Sequence, residues 1–227
     1  SIAGLSCRTA ACHQDGSVSF HQANSGQLLV IHKCHDTAIL HMDVSADGKF
    51  YATGCDDGTV SLWNRHDGAG VATYANHTDK VTEIHFSPKN DMFASSSVDG
   101  TMCVYSLQST AKAMHVLKRS HAVYDVEFVR NGELFVSADH AEIIHVWNYR
   151  TGKLVQELTG HSGTTKQLEW SDPKHLLASL DTNGKTILWN TQDWKTIRSL
   201  PAAPTSAPLL TISGNGKLGG YQFYEGL

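Results

Sequence analysis

The sequence predicts an all-β fold, a β-propeller of four-stranded antiparallel blades, on three observations. The first is a 42-residue period: Trp63, Tyr105, Trp147 and Trp189 stand at that spacing, and Gly16, Gly58, Gly100, Gly184 and Gly226 keep one register. A period of ~40–45 residues with several short strands per unit belongs to propeller blades rather than to helical repeats. The second is apolar alternation within each unit, as in Thr59-Val60-Ser61-Leu62-Trp63 and Ile143-Ile144-His145-Val146-Trp147, the two-residue period of strands. The third is turn chemistry: Ala46-Asp47-Gly48, Asp56-Asp57-Gly58, Val98-Asp99-Gly100 and Thr182-Asn183-Gly184 place Asp, Asn and Gly where the chain must reverse tightly.

Taken in order, residues 1–34 form a partial blade with strands through Ala10–Cys12, Val18–Phe20 and Leu28–Ile31 and no inner strand. Full blades follow at 35–76, 77–118, 119–160 and 161–202, opening on inner strands at Ala38–Val44, Val81–Phe86, Val123–Phe128 and Thr165–Trp170. Residues 201–208, PAAPTSAP, read as a stiffened loop, and 203–227 supply a last partial blade with strands at Leu209–Ile212 and Leu218–Phe223. The 227 residues make one domain of about five blades. Seven blades, within the range propellers use, need roughly 294 residues. The expectation is therefore a partial ring of a larger propeller, an open arc with residues 2–12 and 217–227 far apart.

Three blades space four hydrogen-bonding residues in the same way. Blade two has His35, Thr53, Asp57 and Trp63; blade three has His77, Ser95, Asp99 and Tyr105; blade five has His161, Ser179, Asn183 and Trp189. A buried indole N–H needs an acceptor, a hydroxyl both accepts and donates, and an imidazole passes the chain on to a turn carboxylate. Spacing and residue types resemble the WD40-repeat β-propellers over essentially the whole chain, and the resemblance implies that these residues form a structural network tying strands to turns. Blade four keeps Ser137 and Trp147 but has Arg119 and Ala141 where His and Asp would stand, with His121 and Asp139 displaced by two. The strand ends in Trp-Asn rather than Trp-Asp, and the first unit ends in His21, so the chain is a divergent member.

Composition narrows the function. Hydrophobic residues make up 41% and charged residues 18%, below the ~25% charged usual in globular domains, which suits a buried core. A net charge of −4 with no basic run argues against a nucleic-acid binder. No apolar run approaches the ~20 residues that cross a bilayer, and the opening SIAGLSCRTA lacks signal-peptide order. The expected location is intracellular, cytoplasmic or nuclear. Five cysteines without C-x-x-C spacing read as small buried thiols of a reducing compartment.

His35, Thr53 and Asp57 contain the ingredients of nucleophilic catalysis, yet the same trio type recurs at 77, 95 and 99, as a structural element does and a catalytic site does not. His32, Cys34, His35 and His41 suggest a metal in sequence, but strand alternation scatters them. No enzyme, metal, cofactor or small-molecule substrate is expected.

The function read from the sequence is a non-catalytic protein-interaction scaffold inside a larger assembly. The resemblance implies a contact surface around the channel, carried over here to Ala38, Leu40 and Asp56, then Lys80, Thr82 and Val98, then Ala122, Tyr124 and His140, then Thr164, Lys166 and Thr182. Tyr124 is the aromatic anchor, and Lys80, Arg119 and Lys166 are candidates for a positive patch. The alternative is a substrate receptor of a ubiquitin ligase, because Trp147-Asn148-Tyr149-Arg150 resembles the Trp-Asp-x-Arg adaptor motif. A nucleic-acid-binding propeller, with its steep salt dependence, is the third reading.

Overall fold

The computed structural model describes residues 8–130, 132–171, 174–200, 211–212 and 218–219. Blade one comprises β1 (Arg8–Cys12), β2 (Ser17–Gln22) and β3 (Leu28–Lys33). Blade two comprises β4 (Ile39–Val44), β5 (Phe50–Cys55), β6 (Val60–Asn64) and β7 (Gly70–Tyr74). Blade three runs through β8 (Val81–Phe86), β9 (Met92–Ser97), β10 (Thr101–Ser106) and β11 (His115–Lys118). Blade four is β12 (Val123–Val129), β13 (Leu134–Asp139), β14 (Ile144–Asn148) and β15 (Lys153–Leu158). Blade five is β16 (Thr165–Ser171), β17 (Leu176–Asp181), β18 (Thr186–Asn190) and β19 (Thr196–Leu200). The pair β20 (Thr211–Ile212) and β21 (Leu218–Gly219) stands where the first two strands of a sixth blade fall.

Every sheet is an antiparallel meander in chain order, β1 to β3 in the first and four strands in each of the next four. Sheets pack in sequence, with β4 against β8, β8 against β12, β12 against β16 and β16 against β20. The chain is thus an all-β partial propeller. The loop PAAPTSAP, the remainder of the two last expected strands, and most of the expected separation of 2–12 from 217–227 lie outside the described residues.

The core is interleaved between blades. Ala52, Val60, Leu62 and Tyr74 of blade two meet Ile84, Phe93, Cys103 and Tyr105 of blade three. Met102 and Val104 of blade three meet Val126, Phe135 and Trp147 of blade four, and Val136, Ile144 and Leu158 meet Leu168, Ile187 and Trp189 of blade five. Non-directional burial at ~25 cal/mol per Å² of apolar surface holds the arc together, which is why each sheet needs its neighbour.

The turn glycines set where each blade begins. Gly58 (φ 84) and Gly100 (φ 81) occupy the left-handed region, and a Cβ there would stand 2.8 Å from the carbonyl oxygens of His77 and Arg119, the first residues of the next blades. In blade three, His77 Nε2 bonds Ser95 Oγ at 2.6 Å, and Ser95 Oγ lies 3.4 Å from Tyr105 Oη. Its Nδ1 meets Thr101 Oγ1 at 2.6 Å, and Thr101 donates to Asp99 Oδ1 at 2.6 Å, so a threonine sits between imidazole and carboxylate. In blade two, Trp63 Nε1 donates to Thr53 Oγ1 at 2.8 Å and His35 Nε2 bonds the same oxygen at 2.7 Å. Asp57 instead receives Thr59 N–H at 2.9 Å and Thr37 Oγ1 at 3.2 Å.

Four further details differ from the sequence reading. In blade five, His161 Nδ1 bonds Asp181 Oδ2 at 3.1 Å, while Asn183 Nδ2 donates to the Ser162 carbonyl at 3.0 Å; the carboxylate that reaches the imidazole ends the strand rather than occupying the turn. Ser179 Oγ still joins His161 Nε2 at 2.6 Å to Trp189 Nε1 at 2.8 Å. In blade four, Arg119 donates through Nε to Asp139 Oδ2 at 3.2 Å and through a terminal nitrogen to His145 Nε2 at 2.6 Å. That engagement removes it from the rim patch expected of it, and Trp147 Nε1 is left with Ser137 Oγ at 2.9 Å. Trp189 is 2% exposed, but Trp63, expected to be buried, is half-buried. The outer-strand position filled by Tyr74, Leu117 and Leu158 in blades two to four is the polar His32 in blade one, the blade on which Trp63 packs. Of the thiols, Cys55 and Cys103 are buried while Cys12 and Cys34 are only partly so.

Candidate functional site

One backbone bond recurs at the channel end of every full blade. Asp56 N–H donates to Ala38 O at 3.1 Å, Val98 N–H to Lys80 O at 3.0 Å, His140 N–H to Ala122 O at 3.1 Å, and Thr182 N–H to Thr164 O at 2.9 Å. Directly after it, the pairing of inner and second strands slips by one residue, between Ile39 and His41, Val81 and Glu83, Val123 and Asp125, and Thr165 and Gln167. The extra residues are Leu40, Thr82, Tyr124 and Lys166. A bulge leaves its extra residue outside the ladder and re-aims its side chain, so one side chain per blade turns out of the sheet at the same place on a rigid frame.

Between the inner strands these side chains edge a groove of about 410 Å³ lined by Leu40, His41, Lys80, Val81, Thr82, Glu83, Val98, Tyr124 and Lys166. Its apolar surface is partly solvent-facing, with Leu40 38% and Val98 37% exposed. Lys80 Nζ pairs with Asp56 Oδ1 at 2.5 Å, and that hydrogen bond and charge hold the ammonium above its usual range. Lys166 Nζ lies 4.8 Å over the Tyr124 ring, a cation–π contact. The same ring meets His140 edge-on at 6.4 Å, and His140 Nδ1 is 2.5 Å from Thr164 Oγ1. Thr82 Oγ1 donates to the Val123 carbonyl at 2.7 Å, which ties blade three to blade four under the groove.

Of the contact residues expected from sequence, Leu40, Lys80, Thr82, Val98, Tyr124 and Lys166 share this groove. Asp56 and His140 adjoin it through Lys80 and Tyr124, while exposed Thr182 does not line it. His41 and Glu83, paired at 3.2 Å on the groove wall, were missed; their signal is a 42-residue spacing of polar residues on the inner strands. An apolar floor between two ammonium groups can hold an extended chain segment that carries an apolar side chain and a carboxylate.

The residues that suggested catalysis or a metal are engaged elsewhere. Thr53 Oγ1 is shared by His35 and Trp63, whose indole depends on it. His32 Nδ1 bonds the Tyr51 hydroxyl at 3.0 Å, Cys34 Sγ approaches the same hydroxyl at 3.3 Å, and His41 faces Glu83. Among the described residues no three His, Cys, Asp or Glu side chains converge as a metal site, and no helix is long and apolar enough to cross a membrane.

A family model described as the N-terminal domain of nucleolar protein 10-like proteins, a β-propeller, matches residues 4–184, most of the chain. No curated protein matches it.

Proposed function

Because the chain belongs to the family of nucleolar protein 10-like N-terminal domains, we propose that it is a non-catalytic interaction platform, a propeller subunit of a larger protein assembly. The observation that carries the reading is the bulge repeated in four blades, which turns Leu40, Thr82, Tyr124 and Lys166 out of the ladder beside one groove. Variable side chains on an invariant frame are what a binding surface requires. The partner is a protein that offers an acidic, apolar segment: Tyr124 is the anchor, and Lys80 and Lys166 meet its carboxylates. The family's description supports a nuclear location over a cytoplasmic one. The acidic net charge supports partners other than nucleic acid, and the family match gives the ligase-receptor alternative no support.

The test is affinity capture of the full-length protein from its native source, followed by the same capture with Tyr124→Ala, Lys80→Glu and Lys166→Glu. The expected result is loss of the co-purifying chain with each groove variant and its retention with Ile197→Ser on an outer strand. Retention with all three groove variants and loss with Ile197→Ser overturns the proposal.

A further inference from the structure

Below the groove, the inner strands carry two further series at the blade period. His41, Glu83, Asp125 and Gln167 form one, and two residues along each strand Asp43, His85, Glu127 and Glu169 form the other. Strand alternation puts both members from each strand on one face. The contacts run along one strand and across to its neighbours. His41 Nδ1 of β4 is 3.2 Å from Glu83 Oε2 of β8; Glu83 Oε1 is 3.9 Å from His85 Nε2; and His85 Nδ1 is 3.4 Å from Glu127 Oε2 of β12. Two more carboxylates reach across as acceptors, Asp43 from Phe86 N–H at 2.8 Å and Asp125 from Leu168 N–H at 2.7 Å. Asp125 is 5% exposed, and its second oxygen has no hydrogen-bond partner.

The series places five carboxylates, Asp43, Glu83, Asp125, Glu127 and Glu169, around two imidazoles. Like charges so gathered repel unless protons are retained among them. His85 stands at the middle of the ladder, between Glu83 on its own strand and Glu127 on the next, with Asp43 and Asp125 close enough to act on its charge. We propose that this ladder is a proton-held latch: a charged His85 draws the inner strands of blades two, three and four together along the channel, and loss of its proton releases them. The latch shares His41 and Glu83 with the groove wall but does not rest on the docking reading.

The electrostatics of the cluster agree in sign. Burial alone lowers the His85 pKa, but the carboxylates of Glu127, Asp43, Glu83 and Asp125 override it and raise it to about 9. Burial raises Glu127 to about 7, with Glu169, Asp43 and Glu83 adding to the rise and His85 opposing it. Asp125 is raised by burial first and then by Glu83. Each group is raised above its unfolded value, so the folded chain holds more protons than the unfolded one between the two. The His85 contribution is full below about 6.5, the ordinary histidine value, and is lost as pH rises through about 9.

Two measurements on the full chain test this. Side-chain NMR of histidine-labelled protein is expected to show an imidazole titrating near pH 9 that is absent in His85→Gln. Thermal unfolding from pH 6 to pH 10 is expected to show a midpoint that falls with pH more steeply in the native sequence than in His85→Gln; the difference removes the lysine and tyrosine titrations common to both. Should His85→Gln fail to fold, Glu127→Gln provides the same test, because it keeps the size, removes one charge and shifts the imidazole titration down toward 6.5. An imidazole at position 85 that titrates at or below 6.5, or identical pH slopes with and without it, overturns the latch.

Discussion

Blades four and five hold the same indole in the same place by different chemistry. In blade five an uncharged relay runs from Trp189 through Ser179 to His161, which ends on the buried Asp181. In blade four a guanidinium replaces that imidazole. Its charge goes to Asp139, at the register position of Asp181, and to His145, while Ser137 serves Trp147 alone. In these two blades, unlike blades two and three, where Cys55 and Ser97 end the second strand, the hydroxyl–indole pair and the strand-end aspartate are therefore the common elements. The link between them is interchangeable, at the cost in blade four of placing a permanent positive charge beside a carboxylate that is 1% exposed.

The largest consequence falls on Arg119. Arg119→Ala leaves Asp139 buried without its cation and is expected to cost about 3–5 kcal/mol in urea unfolding. A loss below about 1 kcal/mol, the scale of an exposed pair, would show that Asp139 is held by something else. Removing the hydroxyl comes next. Ser179→Ala strands both an imidazole nitrogen and an indole N–H, whereas Ser137→Ala strands only the indole. At about 1–3 kcal/mol for each unsatisfied buried group, the blade-five variant is expected to lose about twice as much. Equal losses contradict the relay.

The smallest effect is on pH dependence. Burial holds His161 below its usual value against the opposing Asp181, and burial and then Arg119 hold His145 down. Each folded-state pKa lies below the unfolded one, so each group's contribution is complete above about 6.5 and is lost as pH falls through the lowered value. His161→Gln and His145→Gln are each expected to flatten the fall in stability on acidification, read as urea midpoints. An unchanged acid limb in both variants means that these imidazoles are not buried neutral.

The blades were legible because their cause is local. Turn glycines, strand alternation and the Trp63, Tyr105, Trp147 and Trp189 series each recur once per unit at a fixed spacing, so the meanders follow from the pattern. The network was legible as positions and less so as partners. Asn183 and Asp181 are two residues apart, and spacing does not say which of them reaches an imidazole on another strand. Arg119 stood out as a departure, but the direction of its long side chain depends on Asp139, 20 residues away. Six residues of the groove were nameable from their place in the repeat, while its His41–Glu83 wall and the ladder beneath join strands about one blade apart, a proximity that only packing creates.

The most direct test of the account is site-specific crosslinking within the native assembly. A photoreactive phenylalanine analogue placed at Tyr124, on the inner-strand bulge, is compared with one at Ile197, an outer-strand residue that is 56% exposed. The account predicts that the partner is captured in high yield from Tyr124 and at background from Ile197. Capture from Ile197 with none from Tyr124 would contradict it.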